Sequence, residues 1–319
     1  MSEPTYKVEL VAPDIEPYRA GNTGIDYVTT FAATAPGPHV MVAGLTHGNE
    51  ICGAIVLDRL LRAGIRPRQG TLTLSFNNVA AYRQFDPRMP IASRYINEDF
   101  NRLWSPATLG GTRDSAELTR ARALRPVVDM ADYLLDLHSM QYATKPLMLA
   151  GLLDKSRALA RRVGIPEIIM CDAGHAAGPR MRDYGGFGDP HSAKTALLIE
   201  CGQHWERRAA EVAIDVTLRF LIALGTVEAE DVAALGGPEF DAHPRQRVIE
   251  VTEAVTIGGE HFEFVDDYTG LEVVQRQGTV IAHDGPRPVR TPYDDCVLIM
   301  PSRRLLRGQT AVRLGRYVD

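Results

Sequence analysis

From residue 39 onward the chain repeats one pattern: an apolar run, a glycine-bearing turn, then a segment of helical period. Residues 39–45 read as a buried strand. Residues 51–61 read as a helix whose Ile51, Ala54, Ile55, Leu57, Leu60 and Leu61 share one apolar stripe, and Gly64 and Pro67 end it. Strand followed by helix is the βα signature, which confines the chain to α/β architectures. Further strands are expected at 71–77, 133–137, 147–150, 167–171 and 195–200, with helices at 115–130 and 205–224. The expected fold class is therefore α/β, a mixed and mostly parallel sheet with helices on both faces.

The texture changes near residue 240. After the small-residue stretch through Gly236, Gly237, Pro238 and Pro244, only short β-rich runs follow, at 249–251, 262–265, 271–274, 279–282, 296–300 and 310–314. A catalytic domain at 1–240 and a C-terminal β-rich, all-β domain at 241–319 are expected. A unit that small leans on its larger neighbour for stability.

Composition narrows the function. Thirty-five Lys and Arg against 40 Asp and Glu leave a net charge of -5, so there is no bulk cationic field to collect nucleic acid or an anionic membrane. A small-molecule partner is the better expectation, with self-association into a homo-oligomer left open. The opening MSEPTYKVEL lacks the basic-then-apolar order of a signal peptide, and no window approaches the roughly 18 apolar residues of a membrane span, so a cytoplasmic protein is expected. Cys52, Cys171, Cys201 and Cys296 are scattered without a CxxC pair, which reads as free buried thiols.

No GxGxxG, Walker loop, GxSxG elbow or HExxH occurs. What remains is a set of polar residues just beyond the carboxyl ends of expected strands, where open α/β sheets place their ligand sites. His47 and Glu50, in Thr46-His47-Gly48-Asn49-Glu50, stand three apart on a turn opening into a helix. That spacing lets an imidazole nitrogen and a carboxylate converge on a zinc ion about 2 Å from each, with Gly48 relieving crowding between them. Alone, the same spacing is more often a helix-capping turn, with Glu50 complementing the helix N-terminus and His47 a partly buried loop residue. His138, in Asp136-Leu137-His138, would complete a three-ligand set with one open position, with Asp136 orienting the imidazole. Glu200 ends the apolar run 196–199, where a carboxylate is costly unless paired or working, and it could shuttle a proton between a nucleophilic water and a leaving nitrogen. Arg94, Asn101 and Arg102 lie in one polar segment, where arginine forks suit a substrate carboxylate and an oxyanion.

The motifs THGNE, RYINEDFNR, DLH and IECG, in this order between residues 40 and 204, resemble the succinylglutamate desuccinylase/aspartoacylase family of the zinc-carboxypeptidase-like group. The later β-rich portion, including Thr291-Pro292-Tyr293-Asp294-Asp295, is similar to that family's C-terminal unit. The resemblance implies a zinc-carboxypeptidase-like fold and one zinc per chain, bound by His47, Glu50 and His138. Glu200 would then be the general acid/base, Arg94 would polarise the scissile carbonyl, and Asn101 and Arg102 would hold a substrate carboxylate. One departure stands out: similar aspartoacylases carry an arginine ten places before the catalytic glutamate, where this chain has Pro190 followed by His191. That argues against N-acetylaspartate as the substrate.

The function expected is zinc-dependent hydrolysis of the amide of an N-acyl amino acid or a related small carboxylate. The rivals are a zinc carboxypeptidase acting on peptides, which shares the ligand pattern, and a binding module for acidic metabolites that does no chemistry. The glycine-rich segment 184–189 is a lid or a passive loop, and Tyr293 could reach back from the β-rich unit to the pocket, although an exposed tyrosine in a turn is the commoner case.

Overall fold

The structure is a computed structural model that describes residues 6–175, 177–235 and 244–318. Its strands are β1 (Val28–Ala32), β2 (Ala35–Gly44), β3 (Gln69–Phe76), β4 (Tyr133–Met140), β5 (Leu147–Leu149), β6 (Ile168–Cys171), β7 (Thr195–Gln203), β8 (Arg247–Thr256), β9 (Phe262–Phe264), β10 (Val273–Val274), β11 (Val280–Asp284), β12 (Arg287–Arg290), β13 (Cys296–Ile299) and β14 (Thr310–Tyr317). Eleven of them form one sheet in the order β1-β3-β2-β4-β7-β5-β6-β8-β14-β13-β10, and β12-β11-β9 form a second.

The centre of the large sheet is parallel, from β3 through β2 and β4 to β7. Side chains alternate across it, as strand geometry requires. Val40 and Val42 of β2, Leu135 and Leu137 of β4, and Leu197 and Ile199 of β7 pack on one face with the Ile51–Arg62 and Arg207–Ala223 helices. Met41, Ala43, Leu134 and Ala196 pack on the other face with the Ala116–Met130 helix. Both faces are covered, which is why β7 reads as an unbroken buried run rather than an alternating one.

The expected α/β class and its main elements are present. β1 was not anticipated: it pairs antiparallel to β3 at the sheet edge. β5 runs antiparallel to β7, so the sheet reverses direction beside the site. The C-terminal strands, free of helix as expected, continue the large sheet because β8 pairs parallel with β6. Ile249, Val297 and Ile299 from that segment share a core with Met140, Leu147, Ile168 and Leu198. The expected boundary at residue 240, with Gly236, Gly237 and Pro238, lies outside the described residues. Among the described residues no helix is long and apolar enough to cross a membrane. All four cysteines are buried and free.

Candidate metal centre

The site is built where parallel strands end. β2 stops at Gly44, and the next residue, Leu45, is buried with a φ of 60°, a left-handed conformation rare for leucine. That kink turns the chain through Thr46 and His47 into the Ile51–Arg62 helix, for which Glu50 is the N-cap residue. The Glu50 side chain makes no capping hydrogen bond, which removes the capping alternative. Its two oxygens instead face two imidazoles: Oε1 lies 2.7 Å from His47 Nδ1, and Oε2 lies 2.9 Å from His138 Nδ1. The ligand atoms of His47, Glu50 and His138 all fall within 4.8 Å of one another, and all three residues are buried.

Gly48 is required for a reason other than the one expected. A Cβ there would stand 2.4 to 2.5 Å from Tyr82 N, Ala81 C and Ser93 O, so the crowding comes from neighbouring backbone and not from His47 and Glu50. Its N–H also donates to Arg94 O at 3.1 Å, which ties this turn to the arginine-bearing segment.

Each histidine is held from behind. Asp99 Oδ1 lies 2.9 Å from His47 Nε2. Asp136 Oδ2 lies 2.8 Å from His138 Nε2, although off the hydrogen-bond direction, while its Oδ1 accepts from Thr46 Oγ1 at 2.7 Å. Carboxylates behind imidazoles orient the rings and raise their basicity. Burial alone would push the His138 pKa down, but Asp136 and Glu50 raise it well above the usual histidine range. Burial would likewise raise Glu50, yet His47 and His138 hold it well below the usual carboxylate range. A buried anion facing two ring nitrogens is a donor set that takes protons or one divalent cation, and the residues present fit a metal ion.

Glu200 is the register partner of His138 on the adjacent parallel strand, so the two side chains leave the same face side by side. It is 9% exposed, and its Oε2 is a buried oxygen with no hydrogen-bond partner among the described residues. Burial, the largest cause, pushes its pKa up to about 8, with Glu50 adding to the rise and His138 and Arg94 opposing it. Arg94 Nη1 lies 3.4 Å from Glu50 Oε1, and Nη2 lies 3.1 Å from Asp99 Oδ2 and 3.0 Å from His47 Nε2. Asn101 is buried: Nδ2 stands 3.4 Å from His138 Nε2, and Oδ1 accepts from Met181 N at 2.9 Å. Arg102 donates from Nη1 to the Asn101 carbonyl and makes no ion pair among the described residues.

All seven residues singled out in the sequence therefore converge on one region. Two others escaped. Asp99 lies inside the same polar segment, but nothing in its spacing separates it from the surrounding charges. Glu117 sits in the first turn of its helix, where an acidic residue reads as dipole compensation. In the fold its buried carboxylate accepts the N–H groups of Ile96, Asn97 and Glu98 at 2.7, 3.1 and 3.3 Å, anchoring the loop that carries Arg94 and Asp99. Tyr293, by contrast, hydrogen-bonds Thr252 at 2.5 Å within the C-terminal unit. Tyr184 and Phe187 of the glycine-rich segment are buried in the core, so that segment is anchored rather than loose.

A mixed sheet covered on both faces, with a His–Glu–His group at the carboxyl edge of its parallel strands, is consistent with a zinc-carboxypeptidase-like fold. Residues 36–224 match the succinylglutamate desuccinylase/aspartoacylase catalytic domain, and the chain belongs to that family. No curated protein sequence matches it. Among solved structures it is similar to succinylglutamate desuccinylase from Vibrio cholerae, with a TM-score of 0.67 and 18% identity over 92% of this chain and 86% of that one. A succinylglutamate desuccinylase/aspartoacylase from Rhodobacter sphaeroides gives 0.64 and 18%, covering 92% and 89%. The product-bound ectoine utilization protein of Ruegeria pomeroyi gives 0.58 and 18%, covering 92% and 88%. At these identities the structural likeness establishes the fold, and membership of a deacylase family follows from the sequence match.

Proposed function

We propose that the protein is a zinc-dependent hydrolase that cleaves the amide bond of an N-acyl amino acid or a closely related small carboxylate. His47, Glu50 and His138 would hold the ion. When bound, it supplies Lewis acidity, which polarises the amide carbonyl and makes a neighbouring water easier to ionise.

The chain's own residues do the rest. Glu200 takes a proton from the attacking water as the water oxygen bonds to the acyl carbon. As the C–N bond breaks it gives that proton to the departing nitrogen, leaving a carboxylate and an amine. Arg94 faces the oxygen on which charge develops. Asn101 and Arg102 hold the carboxylate of the substrate. Asp99 and Asp136 keep the two imidazoles turned inward. A catalytic domain through residue 240, completed by the C-terminal strands, and a small-molecule partner belong to the same reading.

The observation that carries it is Glu200: a buried carboxylate oxygen with no partner among the described residues, beside the His–Glu–His group, its pKa raised to about 8. A cation held by the neighbouring histidines would draw that value toward neutrality, the range in which a group both takes and returns a proton. The test is a panel of N-acyl amino acids and short peptides assayed with the zinc-loaded wild type and Glu200→Gln. The wild type is expected to hydrolyse acyl amino acids and leave tripeptides intact. The variant should lose about 10²- to 10⁴-fold in kcat while keeping its zinc. Full activity in the variant would discard the mechanism, and turnover confined to peptides would move the assignment to a carboxypeptidase.

A further inference from the structure

Arg313 is a charged residue on a core strand. Val312 and Leu314 on either side of it are buried in the C-terminal core. The pairing of β14 with β8 shifts register between Thr310 and Val312 and again between Leu314 and Gly315, so Arg313 occupies a short stretch bracketed by two irregularities. Bulges of this kind re-aim side chains and recur beside binding sites. Its side chain is 13% exposed. It donates no hydrogen bond among the described residues, and its one ion contact is Asp172 Oδ2 at 4.0 Å.

Asp172 has no need of that contact. Arg180 already grips both of its oxygens, at 3.0 and 2.6 Å, and also donates to Asp183 at 2.7 Å. A guanidinium brings five donors, and burying them unspent is costly. Arg102, the other arginine here without an acidic partner in contact, lies within electrostatic reach of Arg313 and Arg180. His175 feels the same cations: burial first, then Arg102 and Arg313, push its pKa down to about 4. Arg313 in turn is within reach of Glu200. The cations here are Arg94, Arg102, Arg180, Arg182 and Arg313; they face Asp99, nearest in effect to Arg102, and Asp172 and Asp183, both held by Arg180, with Glu200 in reach of Arg313. Two partly buried guanidiniums of like charge, neither with a carboxylate in hydrogen-bond contact among the described residues, are stabilised by taking up an anion.

We propose that Arg313 contacts the substrate, sharing with Arg102 the anionic end of an N-acyl amino acid, so that the C-terminal sheet supplies a specificity-determining side chain to the pocket. The proposal deepens the hydrolase reading above and rests on it. A carboxamide in place of that carboxylate leaves both guanidiniums without their anion.

Two variants test it, Arg313→Met, which removes the charge, and Arg313→Lys, which keeps the charge without the fork. Succinate, a dicarboxylate with no bond to cleave, is titrated into each zinc-loaded protein by calorimetry. Wild type binds it, Arg313→Met binds it at least about tenfold more weakly, and Arg313→Lys falls between. In kinetics, Arg313→Met raises KM for the preferred acyl amino acid by about tenfold or more and moves kcat less than about threefold. The KM for the matching carboxamide stays within about twofold of wild type. Absence of succinate binding by wild type, equal succinate affinity in wild type and Arg313→Met, or equal losses on carboxylate and carboxamide would overturn the proposal. Should Arg313→Met fail to fold, Arg313→Lys is judged by the same criteria. If wild type cleaves no amide, the hydrolase reading fails by itself, and the succinate titration still decides the role of Arg313.

Discussion

Asp172 and Arg180 show how a single buried pair couples this fold to pH. Burial alone would raise the Asp172 pKa, but Arg180 and then Arg313 hold it below the ordinary aspartate value. A depressed folded-state pKa means that the native protein binds fewer protons than the unfolded chain. Its stabilisation is therefore fully present above the unfolded value of about 3.9 and is lost as pH falls through the folded value. Asp172→Asn leaves Arg180 with a poorer partner and is expected to cost about 3 kcal/mol at pH 7. Its melting temperature should then fall less steeply than that of wild type between pH 5 and pH 3. Parallel curves from thermal melts across that range would show that the pair is not the source of the acid sensitivity. Single residues of this sort were poorly legible in the sequence, because Asp172, Arg180 and Arg313 come from three separate segments and none belongs to a spaced motif. His47, Glu50 and His138 were legible because their chemistry is rare in combination and because His47 and His138 stand just past apolar runs, with Glu50 three residues after His47.

Elements carry the next level of the account. The Thr46–Glu50 turn works because β2 ends in a left-handed residue and Gly48 lets the turn pass against the backbone of Ala81, Tyr82 and Ser93. Gly48→Ala inserts a methyl group where three backbone atoms stand within 2.5 Å. We expect a loss of about 1–3 kcal/mol in denaturant unfolding, with reduced metal uptake because His47 and Glu50 flank the displaced residue. A variant as stable as wild type would mean that the loop relaxes freely. Periodicity located β2, β4, β7 and the long helices correctly, since each is a continuous buried run or a full amphipathic stripe. It could not show that β5 runs antiparallel to β7, because a three-residue strand has no period to read and direction depends on loops. Nor could it show that Glu117 anchors residues 96–98, since three backbone N–H groups leave no mark on side-chain pattern.

On the scale of the whole molecule, the sheet is the device that brings distant segments together. His47, Glu50, His138 and Glu200 meet because β2, β4 and β7 are consecutive parallel neighbours. The change of texture near residue 240 is visible in composition. That β8 extends the same sheet is not, because strand pairing between remote segments has no local signature. A cation bound across these strands ties folding to metal uptake, stabilising the native chain by about 4 kcal/mol at a thousandfold excess over Kd.

The most direct measurement is zinc titration of chelator-treated wild type and Glu50→Gln, followed by calorimetry and thermal melting. One zinc per wild-type chain, a melting temperature raised by several degrees, and an affinity at least about a hundredfold weaker in Glu50→Gln are the predicted results. Wild type that takes up no zinc, or a Glu50→Gln protein that binds it with equal strength and is equally stabilised, would contradict the account.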